Sequence, residues 1–113
     1  MQLKETIKLY KLSLDGGSHT PATRKIYLVT LDGMLGAVGD IELKAVTIWP
    51  LRHWQANINS KVENEELSVW SLHQHTRSVH RFFRWCVEER LLEYSPADRL
   101  PLPKLPEGEE PKN

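Results

Sequence analysis

Apolar residues recur at helical spacing in four stretches of the chain, and none of these stretches alternates as a half-buried strand does. The spacing predicts helices over residues 2–14, 21–38, 48–58 and 69–92. Each predicted helix has one apolar face, so the four must pack together to bury it. The pattern therefore predicts an all-α fold, a compact bundle of four helices.

Helix start and stop signals support four of these boundaries. The glycines of the segment DGGSH end the first helix, and Thr20 followed by Pro21 is a typical start for the second. Gly39 ends that helix. Thr47 is the predicted cap of the third helix, in which Pro50 is tolerated because it lies in the first turn. The polar segment NSKVENEELS is interpreted as the loop before the fourth helix.

The second helix carries an apolar strip on the side opposite its core face. This strip consists of Ile26, Val29, Gly33 and Gly36, and a helix facing solvent would not need it. We expect another helix, the first one, to pack closely there.

The fourth helix has an apolar sector and a basic one. At about 100° per residue, Leu72, Val79, Phe83 and Cys86 share a narrow core sector, with Phe82 and Val87 at its edges. Three arginines and a histidine lie on the opposite side: Arg77, Arg81, Arg84 and His73. Such a row is typical of a solvated face, where Glu88 pairs with Arg84, and equally of a helix that contacts phosphates or enters a DNA groove. The helical wheel alone leaves both interpretations open.

Composition and charge narrow the functional classes. With 113 residues the chain has the size of one domain, and 40% apolar against 27% charged residues is typical of a folded protein. The 15 basic and 15 acidic residues cancel, so DNA binding would require local segregation of charge. No apolar run approaches the ~20 residues of a membrane span, and charges interrupt the N-terminal stretch where a signal peptide is apolar. We therefore expect a cytoplasmic protein that does not bind a membrane.

The titratable residues do not form a recognisable catalytic or metal-binding pattern. His73 and His75 point about 160° apart on a helix, and no carboxylate completes a ligand set with them or with His80. Cys86 is the only cysteine, and its apolar neighbours indicate a buried residue and not a reactive thiol. We expect no catalytic residue, no metal, no cofactor and no small-molecule substrate.

Three motifs together resemble a known family. They are Thr23-x-x-x-Tyr27-x-x-x-Leu31, then LKAVTIWPLRHW, then SVHRFFRWCVEERLLEYSPADRLPLPK. Their order and spacing are similar to the N-terminal core-binding, SAM-like domain of tyrosine recombinases of the phage-integrase type, and the resemblance covers residues 3–104. Ser95-Pro96 stands where the family has Asn-Pro.

The resemblance implies a fold, DNA as the partner, and separate domains for DNA binding and for catalysis. The fold is a SAM-like orthogonal bundle over residues 1–100, and residues 101–113 form a proline-rich linker towards a separate catalytic domain. The chain would clamp double-stranded DNA for recombination or integration, assemble with other recombinase protomers, and have no strand-transfer activity of its own. The residues expected to contact DNA are His19, Thr20, Thr23, Arg24, Lys25, His73, Arg77, Arg81, Arg84 and Lys104.

A second hypothesis comes from another class of protein. The chain would be a helical protein-interaction module that does not bind DNA. In that case Ile26, Val29 and the glycines of the second helix would form a groove for a partner helix.

Overall fold

The computed structural model of the chain describes residues 1–105, and their regular structure is helical. Within this range the β pairing is limited to one isolated bridge between Gln2 and Glu42, so the predicted all-α fold is confirmed. The elements in chain order are α1 (Leu3–Asp15), α2 (Pro21–Val38), a short 3-10 turn (Leu43–Ala45), α3 (Ile48–Glu63) and α4 (Val69–Glu88).

Local side-chain caps fix the starts of α2 and α4. The Thr20 hydroxyl accepts a hydrogen bond from the Thr23 N–H at 3.2 Å, and the Ser68 hydroxyl accepts one from the Ser71 N–H at 3.1 Å. Each cap satisfies a backbone donor that the first helical turn leaves free. The predicted bounds of α2 are confirmed at both ends, because Gly39 takes a φ of +89° that ends the helix.

The start of α1 is capped by residues far away in the sequence. Gln2 makes no capping hydrogen bond with its side chain. Instead, the Leu3 N–H donates to the Ile41 carbonyl at 2.8 Å, and the Lys4 N–H donates to Asp40 Oδ1 at 2.9 Å. The segment after α2 thus fixes the beginning of α1.

The ends of α3 and α4 differ from the predicted ones in opposite directions, although the two helices end in the same way. α3 continues to Glu63 instead of ending at residue 58, and α4 ends at Glu88 instead of residue 92. Both helices close with paired backbone bonds around a residue in the left-handed region, Glu65 (φ 61°) and Arg90 (φ 60°). This arrangement usually contains glycine, so neither charged residue signals a helix end in the sequence.

The core lies between α2 and the other three helices, each of which packs against it. The predicted core sector of α4 is confirmed, and it is broader than predicted because Phe82 is as fully buried as Phe83. The Cα radius of gyration is 14.0 Å, close to the ~13 Å expected for a compact domain of about this length. The remaining core residues come from α1, α2 and α3 and from the segments between and after the helices: Leu3, Ile7, Tyr10, Leu14, Leu31, Met34, Leu43, Val46, Leu51, Trp54, Ala97 and Leu100.

The expectation that α1 packs on the apolar strip of α2 is wrong. Ile26 is 38% exposed and Val29 is 56% exposed, and a side chain added at Gly36 would meet nothing within 4 Å. The Cβ position of Gly33 approaches only the Trp54 indole nitrogen, at 3.8 Å. Because the opposite face of α2 already contacts α1, α3 and α4, the strip is left facing solvent.

The polypeptide after α4 belongs to the domain for longer than the sequence suggests. Ala97 and Leu100 are buried, and the carbonyls of Pro101 and Pro103 accept hydrogen bonds from helix side chains. Residues 101–105 therefore pack on the bundle instead of leaving it as a free linker. The predicted linker residues 106–113 lie outside the described residues.

Candidate nucleic-acid interface

The three arginines of α4 are all exposed. Arg77, Arg81 and Arg84 lie on the outer side of the helix, while Val79, Phe83 and Cys86 on the other side are fully buried. The helix period places them so, since burial of the apolar sector turns the basic sector outward. At about 1.5 Å per residue, the row from Arg77 to Arg84 is ~10.5 Å long.

The predicted contact residues at the start of α2 form a capped helix N-terminus. The hydroxyls of Thr20 and Thr23 are 2.9 Å apart and are used in the cap. Arg24 turns towards α1, where its Nη1 lies 3.8 Å from Asp15 Oδ1. Lys25 is exposed, and the His19 ring packs edge-on against Tyr27 with the centroids 5.6 Å apart.

The segment between α1 and α2 and part of the arginine row meet in one cleft. This basic cleft, of about 370 Å³, is lined by Ser18, His19 and Tyr27 on one side and by Arg81 and Arg84 on the other. The Arg81 guanidinium carbon lies 5.8 Å from the centroid of the Tyr27 ring, at the outer range of a cation–π contact. Of the predicted residues, the structure therefore brings together His19, Arg81 and Arg84.

The arginine row has no carboxylate partner within the described residues. The ion pairs among residues 1–105 are that of the Met1 amino group with Glu42 and that of Arg24 with Asp15. Glu88 lines the basic cleft, but the ion pairs of residues 1–105 do not include one between Glu88 and Arg84. The solvated-face interpretation allows that pair but does not require it. The three arginines of α4 are thus exposed and without an ion pair among residues 1–105, with Glu88 as the acidic neighbour in the cleft.

The other predicted residues lie at the edge of this surface or away from it. His73 is half-buried, and its Nδ1 is 3.0 Å from the Pro103 carbonyl oxygen. Lys104, the next residue, is exposed. Arg24 is engaged with α1, and Arg77 lies outside the residues that line the cleft. The predicted contact residues therefore do not share a single pocket. Arg77, Arg81 and Arg84 form a row on α4, and the others lie beside this row or apart from it.

Sequence reasoning missed Tyr27 as part of this surface. Its spacing from Leu31 and Met34 puts it on the core face of α2, but its side chain is only half-buried and lies between His19 and Arg81. A helical wheel assigns a residue to one side of its own helix and contains no information on what the next helix places above it. A signal was available only in the amphipathic character of tyrosine, which favours the border between core and solvent.

The remaining titratable groups have structural roles. The Thr30 hydroxyl donates its proton to the Ile26 carbonyl at 2.9 Å. His75 Nδ1 lies 2.7 Å from the Thr30 hydroxyl oxygen, so it must donate the hydrogen bond between His75 and Thr30. Burial, reinforced by the charge of Lys61, lowers the pKa of His75. Burial also raises the pKa of the Cys86 thiol to about 12, which keeps it protonated at neutral pH.

The described residues contain neither a metal-binding cluster nor a membrane-spanning helix. Residues 1–105 contain no group of three or more His, Cys, Asp or Glu side chains placed to hold a metal ion. Among the helices of this range, none combines the length and the apolar character needed to cross a bilayer.

Comparison of the chain with protein-family models, with curated proteins and with solved structures finds no match in any of the three. The functional assignment therefore depends on the chemistry of the surface and on the resemblance of the sequence motifs.

Proposed function

We propose that the chain is a DNA-binding domain of the core-binding, SAM-like type found in tyrosine recombinases, acting in the cytoplasm. The bundle would grip one side of double-stranded DNA together with other protomers. Cleavage and rejoining of strands would belong to a catalytic domain elsewhere in the recombinase. The orthogonal SAM-like arrangement of the four helices is part of this proposal.

The observation that carries the proposal is the exposed arginine row of α4, which forms no ion pair within the described residues and lies beside the segment between α1 and α2. Arginine presents a planar fork of donors that matches phosphate oxygens, and phosphate contacts supply most of the affinity for duplex DNA. The ~10.5 Å length of the row corresponds to about three base-pair steps of 3.4 Å along the duplex axis. The row is therefore long enough to follow a strand and not only to meet one phosphate.

The basic cleft adds a second element to the same surface. Ser18 and His19, which immediately precede α2, line the cleft together with Arg81 and Arg84, so polar groups from outside α4 border the row. A surface built from two parts of the chain would define the orientation of the duplex better than a single basic helix. Arg81 would be held for this role by its contact with Tyr27.

A titration with duplex DNA at several salt concentrations tests the proposal. If Arg77, Arg81 and Arg84 each displace condensed counterions, the slope of log affinity against log salt should reach about −2.7 or steeper, at ~0.9 per contact. Fluorescence anisotropy of a labelled 20-base-pair duplex would measure it. Failure to bind at low salt, or binding without salt dependence, would contradict the proposal.

One observation favours the protein-interaction alternative. The exposed strip of α2 (Ile26, Val29, Gly33 and Gly36) repeats every three to four residues, as the contact seam of a helix pair does. If the strip is a seam between copies of the chain, sedimentation should show concentration-dependent association, and Val29→Glu should abolish it. A monomer at all concentrations would remove self-association as the use of this strip.

A further inference from the structure

Three side chains from α3 and α4 hold the polypeptide that follows α4. His80 Nε2 is 2.8 Å from the Leu100 carbonyl oxygen, Gln55 Nε2 is 2.8 Å from that of Pro101, and His73 Nδ1 is 3.0 Å from that of Pro103. A carbonyl only accepts hydrogen bonds, so each ring nitrogen must carry the proton. This defines the tautomer of both histidines, Nε2–H in His80 and Nδ1–H in His73.

The spacing of these contacts shows that the segment is extended and runs antiparallel to α4. Seven residues of helix separate His73 from His80, a length of ~10.5 Å. Their partners Pro103 and Leu100 are only three residues apart, and at ~3.1 Å per residue a polyproline chain covers ~9 Å. The two lengths agree, so side chains two turns apart on α4 can bind carbonyls three residues apart without bending the segment.

The proline content explains why the segment is held by side chains. Pro101 and Pro103 have no N–H and cannot form a helix or a sheet ladder, but their carbonyls remain free to accept. Gln55 also donates to the Thr76 hydroxyl at 3.2 Å, which fixes its amide between the two helices. Leu100, almost fully buried, anchors the start of the segment in the core.

The held segment lies at the border of the arginine row. Around the axis of α4, His73 is only ~20° from Arg84 and ~40° from Arg77 at about 100° per residue. Lys104 follows the residue that His73 binds, and its side chain is exposed. The segment thus brings a fourth cation to the end of the row where Arg77 lies.

We infer that Gln55, His73 and His80 are positioning residues that form a latch, and that the latch places Lys104 as an extension of the arginine row. The ligand of this extended row would be a polyanion of the phosphodiester class. The part of the inference that concerns Lys104 rests on the proposed function, whereas the latch itself does not require DNA.

A distance measurement without DNA tests the latch. Spin labels would be attached to Asn57→Cys on α3 and Lys104→Cys in the full chain, because buried Cys86, with its pKa raised to about 12, should stay unlabelled. The inference predicts one narrow distance distribution, which broadens when Gln55, His73 and His80 are all changed to alanine. His53→Ala, which removes an exposed histidine of α3, is the matched control and should leave the distribution narrow. A broad distribution in the parent chain, or an unchanged one in the triple variant, would overturn the latch.

A mutant cycle on DNA tests the role of Lys104. Lys104→Ala should reduce the magnitude of the salt slope by about 0.9, the value for one phosphate contact. The triple latch variant should cause the same loss, and adding Lys104→Ala to it should cause no further loss, because both changes remove the same contact. Additive losses of slope would overturn the assignment of Lys104 as an extension of the arginine row. So would the absence of any loss from Lys104→Ala in a chain whose slope still depends on Arg77 and Arg81. Either result would leave the proposed function standing.

Discussion

α4 and α2 show opposite chemistry on their exposed faces. α4 buries a continuous apolar sector and exposes arginines, whereas α2 packs against all three other helices and still exposes Ile26 and Val29. In α4 the separation of apolar and polar residues shows directly which side faces solvent. In α2 apolar residues lie on two opposite sides of the helix, so the pattern does not show that only one of these sides is buried. The arginine row is therefore a better basis for a functional assignment than the apolar strip.

The largest expected effect is the difference in stability loss between a substitution on the buried face of α4 and one on the exposed face of α2. Phe83→Ala should lower the free energy of unfolding by about 3 to 5 kcal/mol, because it leaves a cavity at a fully buried position. Val29→Ala removes an exposed apolar side chain and should change it by less than about 0.5 kcal/mol. Urea denaturation of both variants measures the difference. Similar losses in the two variants would mean that the strip of α2 is covered in solution.

The ends of the two helices give the next largest effect. α2 ends at Gly39 with a φ of +89°, a conformation that other residues adopt only with strain, so Gly39→Ala should cost about 1 to 3 kcal/mol. α4 ends with Arg90 in the left-handed region, where glycine is favoured, so Arg90→Gly should raise the free energy of unfolding by about 1 kcal/mol. Thermal unfolding distinguishes the two signs. A loss of stability in Arg90→Gly would show that its side chain contributes more than its backbone strain costs.

The smallest expected effect is on the pH dependence of stability, through the hydrogen bond between His75 of α4 and Thr30 of α2. Burial lowers the pKa of His75 below its ordinary value of 6.5, so the unfolded chain binds this proton more readily than the folded one. The contribution of His75 to stability is then complete above pH 6.5 and is lost as the pH falls towards the lower, folded pKa. His75→Gln keeps a donor for Thr30 and does not titrate. Between pH 7 and 5 the parent chain should lose more stability than this variant, and equal losses would contradict the assignment.

The parts of the fold that the sequence predicts are those with a local cause. Thr20 and Pro21 define the start of α2 because a cap involves only neighbouring residues. The end of α4 was predicted wrongly because Arg90 adopts a glycine-like conformation for which the sequence gives no sign. The start of α1 depends on Asp40 and Ile41, so its cap was invisible in the adjacent residues.

The candidate site follows the same division. Exposure of Arg77, Arg81 and Arg84 follows from the helix period alone. Their meeting with His19 depends on how α2 crosses α4, and the latch depends on backbone carbonyls, which carry no signal in the residue types. Functional residues that act through the backbone, or across two helices, are therefore the ones that sequence patterns miss.

The most direct test of the account compares two pairs of arginines in the same DNA-binding assay. Arg77→Ala/Arg81→Ala removes two charges from the arginine row, and Arg52→Ala/Arg99→Ala removes two exposed charges outside it. The account predicts that the first variant binds all duplexes more weakly, with a salt slope smaller in magnitude by about 1.8, because two phosphate contacts are lost. The second should retain most of the parent slope. Equal slopes in the two variants, or a parent slope retained in the first, would contradict the assignment of α4 to the duplex.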